Sequence, residues 1–200
     1  MANYFRCDVD SIVNPQERMY SVLPEVSGEY PNGIFGYLGG RVSGSREVRK
    51  LLTPTAALIK DPNARLMIVS VPEVIYDQHT KASQRIGLFR NKKDKPLRAE
   101  EAMKRFDGVV LSEDYFDVST KATFSSTGFE EGDTFILQPN MVAGTQLKYS
   151  DSADSASKAA NVYKFVVVDV RDSEQPAAIG GDGTLFPASY KEVVLDIVRL

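Results

Sequence analysis

The chain contains one cysteine, one histidine and no tryptophan among its 200 residues. A single cysteine excludes an internal disulfide, and a single histidine adds too little for a zinc site built on cysteine or histidine. No apolar run approaches the roughly 20 residues that a membrane-spanning helix needs. The opening MANYFRCDVD lacks the basic and apolar regions of a signal peptide, so we expect no secretory leader and no membrane partner.

The chain also lacks an excess of positive charge. Lys and Arg number 24 against 27 Asp and Glu, which gives a formal net charge of −3. A protein that neutralises many phosphates normally has a clear basic excess, so we expect no nucleic-acid partner. The hydrophobic content of 42% is ordinary for a globular protein, and a chain of this length can bury a core.

Strand signals dominate the sequence. Residues 66–71 (LMIVSV) and 162–170 (VYKFVVVDV) are rich in the β-branched and aromatic residues that strands favour. The last residues, 192–200 (EVVLDIVRL), are apolar on both faces, which predicts a strand buried between layers or at a subunit contact. Weaker patterns predict strands at 33–42, 108–112, 133–138, 145–149 and in the opening NYFRCDV.

Helical signals are few. Ser45–Leu52 is predicted as a short helix with Ser45 as its N-terminal cap, and Leu97–Phe106 as another, with Pro96 at its start. The predicted fold class is therefore mainly β, a barrel or sandwich with one or two short helices, with α+β as the alternative. We predict a single domain over residues 1–200. A division into a mixed part, 1–106, and an all-β part, 107–200, stays open.

The residues that could carry chemistry are isolated from one another. Cys7 as a nucleophile would need His79 as its base, and we expect instead a small buried side chain at Cys7 and a loop position for His79. Asp8 and Asp10 lie about 7 Å apart on one side of a strand and could bind a cation, but a solvated strand face is the favoured interpretation. Residues 130–133 (EEGD) are interpreted as a charged turn before a strand.

Three further segments carry weak signals. Gly180–Gly183 (GGDG) lacks the Lys-Ser/Thr ending of a phosphate-binding loop, and Ser125–Ser126 lies in no G-x-S-x-G pattern. Arg90–Arg98 (RNKKDKPLR) holds five basic residues in nine and could contact an acidic partner or nucleic acid, or be a solvated loop. We therefore assign no catalytic, cofactor-binding or metal-binding residue, and we expect no enzymatic activity.

A series of short motifs over residues 32–200 resembles a family of small head-associated proteins of tailed bacteriophages. The best single piece is Pro72-Glu73-Val74 with Tyr76-Asp77, within MIVSVPEVIYDQ at 67–78. The other matching segments, in chain order, are Asn32-Gly33-Ile34-Phe35, Gly44-Ser45-Arg46-Glu47, Thr53-Pro54, Lys95-Pro96-Leu97-Arg98-Ala99, Gly132-Asp133-Thr134-Phe135, Gly144-Thr145-Gln146-Leu147, 162–170 and 192–200.

The resemblance implies a structural role in the virion and carries no catalytic residues. From this resemblance we first expect a capsid decoration or cement protein, which is an auxiliary capsid protein that binds the outside of the major capsid protein shell. Such a protein would be assembled in the host bacterial cytoplasm, as a homo-oligomer, and would stabilise the capsid through many small contacts. The alternatives are a head fibre, tail or connector component and, from another class, a ligand- or carbohydrate-binding β module.

Overall fold

The computed structural model describes residues 7–8, 18–26, 30–71, 75–76, 83–84, 90–91, 95–102, 105–140, 146–150, 161–173 and 190–200. Within these ranges the strands form a closed five-stranded barrel, a seven-stranded sheet and two short strand pairs. The two α-helices of the described part have only one turn each. The predicted mainly-β class with one or two short helices is therefore confirmed.

The described residues form sixteen strands and two α-helices. The strands are β1 Cys7–Asp8, β2 Met19–Pro24, β3 Tyr30–Pro31, β4 Phe35–Arg41, β5 Arg49–Leu52, β6 Leu66–Val69, β7 Ile75–Tyr76, β8 Ser83–Gln84, β9 Arg90–Asn91, β10 Leu97–Glu101, β11 Arg105–Ser112, β12 Phe116–Asp117, β13 Thr134–Leu137, β14 Leu147–Tyr149, β15 Tyr163–Ser173 and β16 Tyr190–Arg199. The helices are α1 Ala56–Lys60 and α2 Phe124–Thr127, and a 3-10 helix spans Glu113–Tyr115.

The barrel has the strand order β10-β2-β5-β4-β6 and closes by pairing β6 with β10. All its pairings are antiparallel except β2 with β5. Every residue of β6 is buried, as expected for an apolar run without alternation. The helix α1 precedes β6 and begins after Thr55, whose hydroxyl accepts the backbone N–H of Leu58 at 3.3 Å.

The sheet has the order β1-β11-β16-β15-β13-β14-β12 and is antiparallel except where β12 joins β14. The C-terminal strand β16 lies in its interior, between β11 and β15. Val193, Leu195 and Ile197 are fully buried on one face of β16, and Val194 is buried on the other. This confirms the predicted strand at 192–200, while the subunit contact stays a prediction.

The barrel and the sheet share one hydrophobic core. Buried residues of both belong to the same packed cluster, and Phe35 of the barrel meets Phe165 of the sheet edge to face at 5.0 Å. The change from barrel to sheet occurs between Glu101 and Arg105, but β1, near the start of the chain, pairs with β11 of the sheet. The chain therefore crosses between the two parts more than once.

Both helix predictions are wrong, because the two segments form a turn and strands. At 45–52 the Ser45 hydroxyl does accept backbone N–H groups, from Glu47 and Val48, but the result is a tight turn followed by β5. At 97–106 the chain forms β10, which is paired on both sides, and then the start of β11. Leu97 and Ala99, two residues apart, fit the alternation of a strand, and strand pairing overrides the helix propensity of the segment.

Candidate functional site

The structure separates the residues that the sequence singled out. Cys7 lies in β1 opposite Leu111 and is fully buried, so the prediction of a small buried side chain is confirmed. Ser126 lies in α2, where its hydroxyl donates to the Thr123 carbonyl at 2.8 Å. A buried thiol and a helix-bound hydroxyl are both poorly placed for nucleophilic attack. His79, Asp10 and Gly180–Gly183 lie outside the described residues.

The predicted basic loop is divided by the fold. Arg90 lies in β9, which pairs with β3, and residues 92–94 lie outside the described part. Arg98 belongs to the barrel strand β10, where its guanidinium donates to Glu100. Among the described residues no group of three or more His, Cys, Asp or Glu side chains is arranged to hold a metal ion. The same part of the chain contains no helix long and apolar enough to cross a membrane.

A buried ion pair joins Lys121 to Asp133. The Lys121 ammonium donates to the Asp133 carboxylate at 2.7 Å, to the Glu130 carboxylate at 2.9 Å and to the Gly128 carbonyl at 2.9 Å. The side chains of Lys121 and Asp133 are only 4% and 8% exposed, whereas that of Glu130 is 53% exposed. Three acceptors occupy all three ammonium hydrogens, so this centre is complete without a ligand.

The electrostatics of this centre keep Lys121 charged. Burial acts to lower the pKa of Lys121, but the hydrogen bonds that Lys121 donates to Asp133 and Glu130 outweigh it and raise the pKa above its ordinary value. The hydrogen bond from Lys121 in turn lowers the pKa of Glu130. The predicted charged turn before β13 is present at 130–133, but the cation that it binds is a residue that sequence reasoning missed.

One ring of a packed aromatic group lies against the ion pair. Phe116 packs edge to face on Phe129 and Phe135 at 5.3 and 4.9 Å, and Phe135 on Tyr149 at 5.7 Å. The Lys121 ammonium also lies 5.7 Å from the centroid of the Tyr149 ring. The Lys121–Asp133 pair therefore lies beside the Tyr149 ring and connects the turn to the sheet.

Gln146 joins the sheet to the barrel. Its fully buried side chain accepts the backbone N–H of Phe35 at 2.7 Å and donates to the Phe35 carbonyl at 3.3 Å. The amide thus supplies both hydrogen bonds that a neighbouring strand would otherwise give to Phe35. The backbone N–H of Gln146 donates to the Tyr115 carbonyl at 3.0 Å. This one residue therefore fixes β4 of the barrel against the sheet.

Asn32 and Tyr115 form the second part of this junction. The Asn32 amide donates to the Val71 carbonyl at 2.8 Å and accepts the Val71 N–H at 2.9 Å. The Tyr115 hydroxyl donates to the Asn32 carbonyl. Gly33 follows with a φ of +84°, and a Cβ there would lie 2.8 Å from that of Cys7. The junction is therefore hydrogen-bonded and close-packed.

Two ion pairs lie on the barrel, Arg65 with Glu101 and Arg98 with Glu100. The Arg65 guanidinium makes a two-pronged contact with Glu101, with Nε 2.8 Å from Oε1, and also reaches the Tyr20 hydroxyl. The hydrogen bond with Glu101 raises the pKa of Arg65. The Glu100 side chain is only 1% exposed and accepts hydrogen bonds from Ser70 at 2.8 Å and Arg98 at 2.7 Å, while its Oε2 has no hydrogen-bond partner within the described ranges.

None of these clusters of described residues combines a nucleophile with a base. What the geometry defines is a β scaffold whose buried polar groups connect its own parts. No protein-family model matches the chain, and no curated protein or solved structure matches it.

Proposed function

We propose that this chain is a non-catalytic structural protein of a bacteriophage virion, and that it decorates the outside of the major capsid protein shell. The motifs from Asn32-Gly33 to the closing strands supply the resemblance to head-associated proteins. The observation that supports the proposal is that buried polar side chains form hydrogen bonds between separate parts of the fold. Gln146 and Tyr115 bind the barrel to the sheet, and Lys121 binds a turn to the sheet.

A rigid scaffold suits a protein that acts through contact area. When many copies bind one shell, small contacts add up to a large stabilisation, provided that each copy keeps its shape. One edge of the sheet is formed by a very short strand, β12, of two residues. Short edges limit pairing with other sheets, which helps a protein that must bind at fixed sites without aggregating.

The carbohydrate-binding alternative depends on exposed aromatic side chains around a pocket. Among the described residues the large apolar side chains that are exposed are Val26, Val168 and Leu200, and none of these is aromatic. The described phenylalanines pack with one another inside the sheet instead. The described surface therefore favours a protein partner over a sugar.

The experiment is a rebinding assay with particles assembled without this protein. Purified protein is added at increasing concentration, the particles are sedimented, and the bound chain is quantified against the major capsid protein. We expect saturation at a simple ratio and a higher temperature of particle rupture. A protein that stays in the supernatant at all concentrations would overturn the proposal.

A further inference from the structure

The hairpin between β4 and β5 concentrates positive charge. The basic hairpin, residues 41–50 (RVSGSREVRK), holds four basic side chains and one carboxylate, Glu47, which gives it a net charge of +3 in a chain of −3. Arg41, Arg46 and Lys50 are exposed, and Arg49 is half-buried. None of these four cations forms an ion pair within the described structure.

Strand register places two of the cations against each other. Arg41 of β4 is directly opposite Arg49 of β5, beyond a bulge that follows Leu38. Residues directly opposite in an antiparallel pair have Cβ atoms about 5 Å apart, and like charges there are destabilising. The Arg49 guanidinium donates to the Gly39 carbonyl at 3.1 Å, which holds it at the strand without neutralising it. The fold thus keeps an unfavourable charge arrangement at an exposed position.

The basic hairpin is also well fixed. The Val42 N–H donates to the Val48 carbonyl at 2.9 Å, and the Ser45 hydroxyl accepts the Val48 N–H at 2.9 Å. Gly44 supplies the positive φ of +79° that the turn requires. The cations are therefore presented on an ordered backbone, so less conformational freedom is lost when they bind.

We propose that the basic hairpin is a docking contact for a carboxylate-rich patch on a protein partner. Three of its four cations are arginines, whose planar guanidinium groups match carboxylates in a two-pronged geometry. The four cations of the basic hairpin are fewer than the many phosphate contacts that drive nucleic-acid binding. This inference rests on the proposed function, from which we take the partner to be the outer surface of the capsid shell.

The chemistry is tested with the full chain and two labelled probes, poly-L-glutamate and a 20-base-pair DNA duplex, by fluorescence anisotropy at low salt. The test variant is R41Q/R46Q. The matched control is R171Q/K191Q, which also removes two positive charges from an exposed hairpin, but from cations paired with Asp169 and Asp172. The variant R41K/R46K keeps the charge.

We expect R41Q/R46Q to bind poly-L-glutamate about tenfold more weakly than the unmodified chain, and the difference to shrink at high salt. The control is expected to change affinity less than twofold, and R41K/R46K to retain most of the binding. No binding of poly-L-glutamate, tighter binding of the duplex, or equal losses in the test and control variants would each overturn the docking contact.

Particles assembled without the protein separate this inference from the proposed function. If the unmodified chain binds them and R41Q/R46Q binds at least tenfold more weakly, both are supported. If both proteins bind equally, the docking contact is wrong while the decoration role stands. If the unmodified chain does not bind, the decoration role fails, and the probe assay alone decides the chemistry of the hairpin.

Discussion

Removal of the Asp133 carboxylate is expected to destabilise the fold strongly, because Lys121 would keep its charge in an aromatic environment. The ammonium and the carboxylate are 2.7 Å apart, and both side chains are nearly buried. Breaking a buried ion pair by removing one partner typically costs about 3–5 kcal/mol. Glu130 and the Gly128 carbonyl remain as acceptors, so we expect D133A to lose about 3 kcal/mol of unfolding free energy, measured by urea denaturation.

The companion variants make this prediction specific. K121M alone leaves the Asp133 carboxylate without its cation, whereas K121M/D133A removes both charges and should be less destabilised than the sum of the single variants by about 2 kcal/mol. The exposed pair of Lys191 and Asp172 is the control, and K191M should cost less than about 0.5 kcal/mol. A loss below about 1 kcal/mol in D133A, or additive single effects, would refute a dry, coupled pair at this position.

The remaining predictions concern the tyrosines and two turn glycines. Tyr37 is buried and its hydroxyl has no hydrogen-bond partner among the described residues, so Y37F should stabilise the fold by about 1 kcal/mol, seen as a higher Tm; an unchanged or lower Tm would contradict this. Y115F removes the hydrogen bond to the Asn32 carbonyl and should cost about 1–2 kcal/mol in the same assay. G33A combines a positive φ with a 2.8 Å approach to Cys7 and should cost about 2–4 kcal/mol, whereas G44A, with a positive φ in open space, should cost about 1 kcal/mol; equal losses would contradict the close packing at Gly33. Burial raises the pKa of Tyr37 above its ordinary value of 10, so its proton is held more tightly in the folded than in the unfolded chain. Its contribution is complete below about pH 10 and is lost as the pH rises further, so urea midpoints should fall above pH 10 and fall less steeply in Y37F.

The long strands could be predicted because their composition leaves little choice. Residues 162–170 and 192–200 are rich in β-branched and apolar side chains over a length typical of strands, and β15 and β16 occupy these positions. The two segments with helix-like composition, 45–52 and 97–106, form strands because barrel closure pairs them on both sides. The actual helices α1 and α2 are too short to show a 3.6-residue period.

The interior polar contacts lie beyond sequence patterns because they join distant or unpatterned residues. Gln146 and Phe35 are 111 positions apart, and no spacing rule relates a glutamine to a strand backbone at that distance. The basic hairpin shows the same limit on the surface. Its four cations can be counted in the sequence, but only the register shows that Arg41 lies opposite Arg49.

The most direct test of the central claim is the copy number of this chain in purified virus particles. Mass spectrometry of particles, with the major capsid protein as the internal standard, gives the ratio without any variant. A decoration protein predicts a ratio near one or a simple fraction such as about one third, as expected for repeated sites on a symmetric shell. A few copies per particle would place the chain in a fibre, tail or connector, and its absence from the particles would contradict the virion role.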